Sequence, residues 1–279
     1  MSTVMNRYPI YIPTKGRAAT PLTAKYLHNV GLPFFLVCEE TEAEQYEALD
    51  LGTVLVLPFH DLGQGSIPAR NWIWDHALSA GARRHWVIDD NIKGFMRMNC
   101  NRKIPVRASG IFAAMEDFTD RYTNIAFSGP TYDCLYDERY KLCPYVINTR
   151  IYSCILVNSS LDMRWRGRYN EDTDICLRAM KADWQTLLFV AFLANKASTQ
   201  TIKGGNTDNV YNTGDKRRAF AESLREQHPE HVKVFWRFDR WHHQVDYLPF
   251  KGKPLHPVKG LVPMAENNEY GMRLKRVEP

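Results

Sequence analysis

An apolar run that ends in two acids, His85-Trp86-Val87-Ile88-Asp89-Asp90-Asn91, constrains this chain more than any other feature. A short apolar run of this kind, bounded by turn formers, reads as a buried strand. Carboxylates at its end are costly to bury side by side unless a cation or a proton lies between them. The run therefore predicts a sheet whose carboxyl edge gathers charge and holds a ligand. A second acidic cluster, Glu171-Asp172-Thr173-Asp174, runs into a helical stretch, Ile175-Cys176-Leu177-Arg178, and offers a further carboxylate as a base.

The chain before Asp89 alternates short apolar runs with amphipathic stretches, which predicts strands over 8–12, 34–37 and 53–57 and helices over 22–30, 42–49 and 68–78. Thr20 is the expected N-cap of the first helix, with Pro21 at its first position and Gly31 just past its end. After Gly94 the pattern changes. It predicts a helix over 109–122, a strand at 125–127, an antiparallel hairpin or a pair of strands over 145–157, a helix over 174–181 and a strand over 186–192. A Gly/Asn/Thr loop at 203–213 and a charged helix over 215–227 follow. No linker or repeat divides the chain. The expectation is one α/β domain, with a nucleotide-binding half (1–98), an acceptor and catalytic half (99–250) and a basic tail (251–279).

Composition narrows the class. A chain of 279 residues with 44% hydrophobic content can bury a substantial core, and no apolar run is long enough to span a bilayer. The N-terminus has no charged-then-apolar leader, and the six cysteines are scattered without a Cys-x-x-Cys pair. Both observations lead us to expect a cytoplasmic protein with reduced thiols, without a membrane partner. The net charge of +5 permits a polyanion such as nucleic acid without requiring one.

Three segments can meet a nucleotide. Pro13-Thr14-Lys15-Gly16-Arg17 follows the first strand; its backbone N–H groups, Lys15 or Arg17 can approach a diphosphate, or it is a plain strand-to-helix turn. Gln64-Gly65-Ser66-Ile67-Pro68-Ala69-Arg70-Asn71 opens the helix before the Asp89 strand. Arg70 and Asn71 there can bind a donor, hold the Asp-Asp-Asn carboxylates, or serve as surface and capping groups. Asp89, Asp90 and Asn91 can hold a hard divalent cation, which prefers carboxylate and amide oxygens, or can cap a turn. At the second acidic cluster, charge complements the helix dipole and Asp174 pairs with Arg178 at i,i+4. The dipole favours an ionised Asp172, whereas acidic neighbours including Glu171 raise its pKa; a carboxylate so balanced can accept a proton.

Trp241-His242-His243-Gln244-Val245-Asp246-Tyr247 offers one imidazole as a metal ligand, since an extended chain turns His242 and His243 opposite ways, or a histidine satisfied within an aromatic core. Two segments interleave aromatic and basic residues. In Met163-Arg164-Trp165-Arg166-Gly167-Arg168-Tyr169, Arg164, Trp165, Arg166 and Arg168 are candidates for contacts to an acceptor, by phosphate pairing and stacking. In Phe235-Trp236-Arg237-Phe238-Asp239-Arg240-Trp241 the aromatics follow helical spacing and are expected in the core.

Taken in order, these segments resemble a glycosyltransferase of the GT-A type: an opening strand and turn, an Ala-Arg-Asn helix, a strand ending Asp-Asp-Asn, a Glu-Asp-x-Asp helix and a late His. More narrowly, the chain resembles the TET-associated glycosyltransferases of bacteriophages, which attach sugars to hydroxymethylated pyrimidines in DNA. The match is carried by Ile12-Pro13-Thr14-Lys15-Gly16-Arg17, the 65–71 segment, Ile88-Asp89-Asp90-Asn91, Glu171-Asp172-Thr173-Asp174 and His242-His243-Gln244-Val245-Asp246-Tyr247. The resemblance implies a GT-A, Rossmann-like mixed sheet with helices on both faces. It implies a UDP-sugar donor held around Pro13, Thr14, Lys15, Arg17, Gln64, Gly65, Arg70, Asn71, Asp89 and Asp90. A Mn²⁺ or Mg²⁺ ion would lie among Asp89, Asp90, Asn91 and His243 or His242. Asp172 would be the base, with Glu171 beside it, and the acceptor would be 5-hydroxymethylcytosine or its uracil analogue in DNA; the alternatives are a protein, glycan or small-molecule acceptor, a metal-dependent nuclease, or a non-catalytic nucleic-acid-binding module. One departure is Asn91, where many GT-A enzymes have an acid; a neutral ligand there weakens metal affinity.

Overall fold

A computed structural model describes residues 6–107, 109–139, 143–167, 169–197 and 217–260. β1 (Ile10–Pro13) leads through α1 (Leu22–Asn29) to β2 (Phe35–Cys38), and α2 (Ala43–Glu47) leads on to β3 (Thr53–Val56). The chain then turns back. α3 (Ile67–Ser79) delivers β4 (Arg84–Ile88) to the other side of β1, and these four strands pair in parallel. The reversal makes a topological switch point at the carboxyl ends of β1 and β4, the crevice position at which open α/β sheets hold ligands.

A hairpin, β5 (Ile92–Asn99) and β6 (Arg102–Val106), follows, then α4 (Gly110–Asp120), β7 (Ile125–Tyr132), β8 (Tyr145–Ile147) and β9 (Cys154–Asn158). α5 (Glu171–Lys181), β10 (Gln185–Lys196), α6 (Arg217–Gln227) and a second hairpin, β11 (Val232–Arg237) with β12 (Arg240–Val245), complete the described chain. The sheet order is β3-β2-β1-β4-β9-β7-β10-β5-β6, with β8 also against β10. Because β9 is antiparallel to both β4 and β7, and β10 is parallel to β7, the carboxyl ends of β1, β4, β7 and β10 share one edge. One mixed sheet thus runs through both the expected nucleotide half and the expected acceptor half.

Strand alternation sorts the core into two layers. Ile10, Ile12, Trp86, Ile88, Cys154 and Leu156 face the side covered by α1, α2 and α4, whereas Tyr11, Val87, Ile155 and Val157 face α3 and α5. Each such aliphatic side chain contributes about 1.5–3 kcal/mol on burial. A helix cap contributes about 1 kcal/mol, so the layers outweigh the caps. Accordingly α1 forms without one: its first residue is Leu22, Pro21 precedes it, and the expected Thr20 cap makes no side-chain bond there. Gly129 on β7 admits a close strand approach, since a Cβ there would lie 2.1 Å from the Cys154 carbonyl oxygen.

Other departures have physical reasons. The β5–β6 hairpin leaves no clear strand pattern in the sequence, because its side chains are mixed in polarity and mostly half-buried or exposed. The two strands within 145–157 do not pair with each other; β8 joins β10 and β9 fills the gap between β4 and β7. The 203–213 loop and most of the basic tail lie outside the described residues. Among the described residues, no helix is long and apolar enough to cross a membrane.

Candidate active site

Asp89 leaves the end of β4 directly above the crevice and is held from three sides. Arg70, on the first turns of α3, donates from Nη2 to Asp89 Oδ1 at 2.9 Å and from Nη1 to Asp172 Oδ1. Ser153, just before β9, donates to Asp89 Oδ2 at 2.5 Å, and Lys196, the last residue of β10, reaches the same oxygen at 2.9 Å. Lys196 also bonds Ser153 Oγ at 2.6 Å, and the Tyr132 hydroxyl, from the end of β7, lies 2.6 Å from that oxygen. Strand ends far apart in sequence therefore converge on one carboxylate.

The neighbouring acids sit in different surroundings. Asp90 turns toward β1, where Arg17 pairs with it at 3.1 Å and Thr14 Oγ1 donates at 3.1 Å. Thr14 in turn meets the Tyr46 hydroxyl at 2.8 Å, and that hydroxyl accepts the Arg17 backbone N–H. Asp172 and Glu171 form the first turn of α5, reached from Asn170 in a left-handed conformation. Ser66 Oγ donates to Glu171 at 3.3 Å. Burial pushes the Asp172 and Glu171 carboxyls up, and Arg70 opposes it in both. For Asp89 burial also acts upward, but Lys196 and Arg70 outweigh it and hold the group well below the usual carboxylate range. Asp90 is pushed up to about 6 by burial against the pull of Arg17. Only one of the four carboxyls is thus firmly held as an anion by two cations.

A sheet-edge crevice with one clamped carboxylate and a second carboxylate across a shared guanidinium suits transfer of a group between a charged donor and a hydroxyl. The sequence comparison decides the family: the model of TET-associated glycosyltransferases matches residues 8–205, well over half of the chain. The chain belongs to the TET-associated glycosyltransferase family. It is a glycosyltransferase with a nucleotide-sugar donor, on a mixed α/β sheet consistent with the GT-A type. No curated protein matches its sequence.

In this glycosyltransferase the donor set expected for a divalent ion does not fit one. Both oxygens of Asp89 and of Asp90 are taken by Arg70, Lys196, Ser153, Arg17 and Thr14. Asn91 Oδ1 is buried without a hydrogen-bond partner, but a single amide oxygen is no ion site by itself. His242 and His243 lie on β12: Nε2 of His242 is 2.9 Å from the Arg237 carbonyl, and His243 is pulled down to about 4 by burial, with Arg150 adding to it. Among the described residues no group of three or more His, Cys, Asp and Glu side chains is arranged to hold an ion.

The remaining expected residues divide. Lys15 is drawn to Glu39 and Asp61, both near 3 Å, while Pro13 lies beside it at the end of β1 and Gln64 and Gly65 stand exposed before α3. Asn71 does not face the crevice: its side chain exchanges two hydrogen bonds with the Trp165 backbone and so fixes the segment leading to α5. Trp165 cannot stack on an acceptor, because it is buried against Trp74 and Phe127 with the Arg70 guanidinium 4.8 Å from its ring. Arg164 pairs with Asp75, and Arg166 with Asp174, which also takes Arg178 and His228. Arg168 lies outside the described residues. Lys196, Ser153 and Tyr132 escaped the sequence reading, since a lysine ending an apolar strand is the one local signal any of them carries.

Proposed function

We propose that the protein transfers a sugar from a UDP-sugar to the hydroxyl of 5-hydroxymethylcytosine, or of the uracil analogue, in DNA. The observation that carries the reading is the Asp89–Arg70–Asp172 chain at the sheet edge, which couples the donor-side carboxylate to a second, proton-accepting one. Asp172 takes the acceptor hydroxyl proton as its oxygen bonds to the anomeric carbon. The bond from that carbon to the diphosphate breaks, and UDP leaves with the electron pair. A single displacement of this kind inverts the anomeric centre. Lys15, Arg17 and Lys196 are the cations on hand for the departing diphosphate, and to meet it they must leave Glu39, Asp90 and Asp89. A Mn²⁺ or Mg²⁺ ion at Asp89 would have to displace Lys196 or Arg70, which already neutralise that carboxylate. The modified base must leave the duplex to meet a carboxylate set into a crevice.

The test is incubation with a panel of UDP-sugars and duplex DNA carrying 5-hydroxymethylcytosine or plain cytosine, followed by digestion and mass spectrometry of the nucleosides. A hexose- or pentose-sized gain on the modified base alone is expected. Asp172→Asn should lower the rate about 10²–10⁴-fold, the usual contribution of a general base. Release of UDP without a gain on DNA would retain the transferase and discard the DNA acceptor.

A further inference from the structure

The β11–β12 hairpin carries a surface that the proposed chemistry does not use. Its register pairs Arg237 with Arg240, leaving Phe238-Asp239 as a two-residue turn. Both turn residues have φ of 53°, a conformation that such hairpins ordinarily give to Asn-Gly. A phenylalanine held there is strained, yet the residue is 72% exposed and so gains little from packing. Trp236 is 54% exposed and crosses Trp241 edge-on at 5.5 Å. Arg237 lies 4.7 Å over Phe238, and Arg218 from α6 lies 4.6 Å over Trp241. The solvent face of the ribbon presents Lys233, Arg237 and Arg240 against a single acid, Asp239.

We infer that this hairpin is a duplex-DNA contact element, with Lys233, Arg237 and Arg240 meeting phosphates and Phe238 wedging at a base step beside the extruded nucleotide. The inference rests on the DNA-acceptor reading and deepens it. A two-stranded antiparallel ribbon fits the major groove, and apolar side chains that enter between base steps unstack them. Exposed Trp, Phe and Arg suit protein interfaces as well, so what favours a polyanion is the excess of three cations over one acid on this face. The ribbon is also tied to the catalytic helix. Asn170 donates to the Phe220 carbonyl at 3.0 Å, Phe220 stacks on Tyr169, and His228 meets Asp174 at 2.8 Å. α6 and its hairpin are thereby anchored to the turn that presents Glu171 and Asp172. The hairpin lies beyond residues 8–205, so the family match says nothing of it.

The experiment measures binding of the full chain to a labelled duplex containing 5-hydroxymethylcytosine, by anisotropy across salt concentrations, with donor hydrolysis and thermal melting in parallel. Phe238→Gly relieves the turn while removing the ring, so it should melt no lower than wild type yet bind roughly tenfold more weakly. Arg237→Ala with Arg240→Ala should lower the slope of log affinity against log salt by about two. Donor hydrolysis should be unchanged in both. Wild-type affinity and slope in all variants would overturn the hairpin's role while leaving the DNA acceptor standing. Hydrolysis of donor by a wild type that binds no duplex would overturn both. Self-association without DNA that Trp236→Ala abolishes would overturn the inference in favour of a second copy as partner.

Discussion

The sheet edge around Asp89 and the β11–β12 hairpin both concentrate charge and rings, but they handle them in opposite ways. At the edge, Arg70 is buried and spans two carboxylates, and each acid there meets a donor or a cation. On the hairpin, Arg237 and Arg240 are exposed, one lying over the Phe238 ring and the other donating to His242, and a strained turn holds an apolar side chain in water. A buried charge without its partner is very costly, whereas an exposed one loses little. The first region is therefore held by the fold, and the second is kept against the fold's local preferences. That contrast can be broken by substitution.

The largest effect should come from Arg70. Arg70→Met leaves Asp89 and Asp172 without their shared cation in a buried site, which should cost about 3–5 kcal/mol in urea unfolding. Arg70→Lys should recover only part of this, because an ammonium cannot span two carboxylates as the guanidinium does. Full recovery by lysine would show that the Asp89–Arg70–Asp172 geometry is incidental.

Glu116 on α4 supplies a control from the same fold. It is buried and accepts from Trp86 Nε1 at 2.8 Å and from the Arg7 backbone N–H at 2.6 Å. Burial pushes it up to about 7, the opposite of the double-cation hold on Asp89. A carboxyl raised in the folded state stabilises fully below its unfolded pKa, near 4.3, and loses that contribution as pH rises through the folded value. Stability should thus fall by about 3 kcal/mol between pH 4 and 8 on account of this group. Urea midpoints of wild type against Glu116→Gln across that range should differ in slope. Equal slopes would mean that burial alone does not set these carboxyls, and the contrast with Asp89 would lose its basis.

Much of the sheet was legible because strand and helix periods are local properties. β1 to β4 and the acids ending β4 follow directly from apolar runs and turn formers. The hairpin was misread for the same reason: Phe235, Phe238 and Trp241 recur at helical spacing, and only cross-strand pairing shows them as a ribbon. Trp165 looked like a surface platform between arginines, but Trp74 and Phe127, distant in sequence, enclose it. Lys196, Ser153 and Tyr132 were invisible because strand order, which no local pattern encodes, brings β10, β9 and β7 beside β4.

The smallest expected effect falls on the hairpin and completes the contrast. Trp236→Ala removes the edge contact with Trp241, and cross-strand pairs of this type contribute about 0.2–1 kcal/mol. With over half of the ring already in water, little further burial is lost. The unfolding free energy should therefore change by about 0.5 kcal/mol, an order of magnitude below the cost at Arg70. A loss above about 2 kcal/mol would show that Trp236 packs as core. The hairpin would then be a stabilising flap, and its exposed rings would need no ligand to account for them.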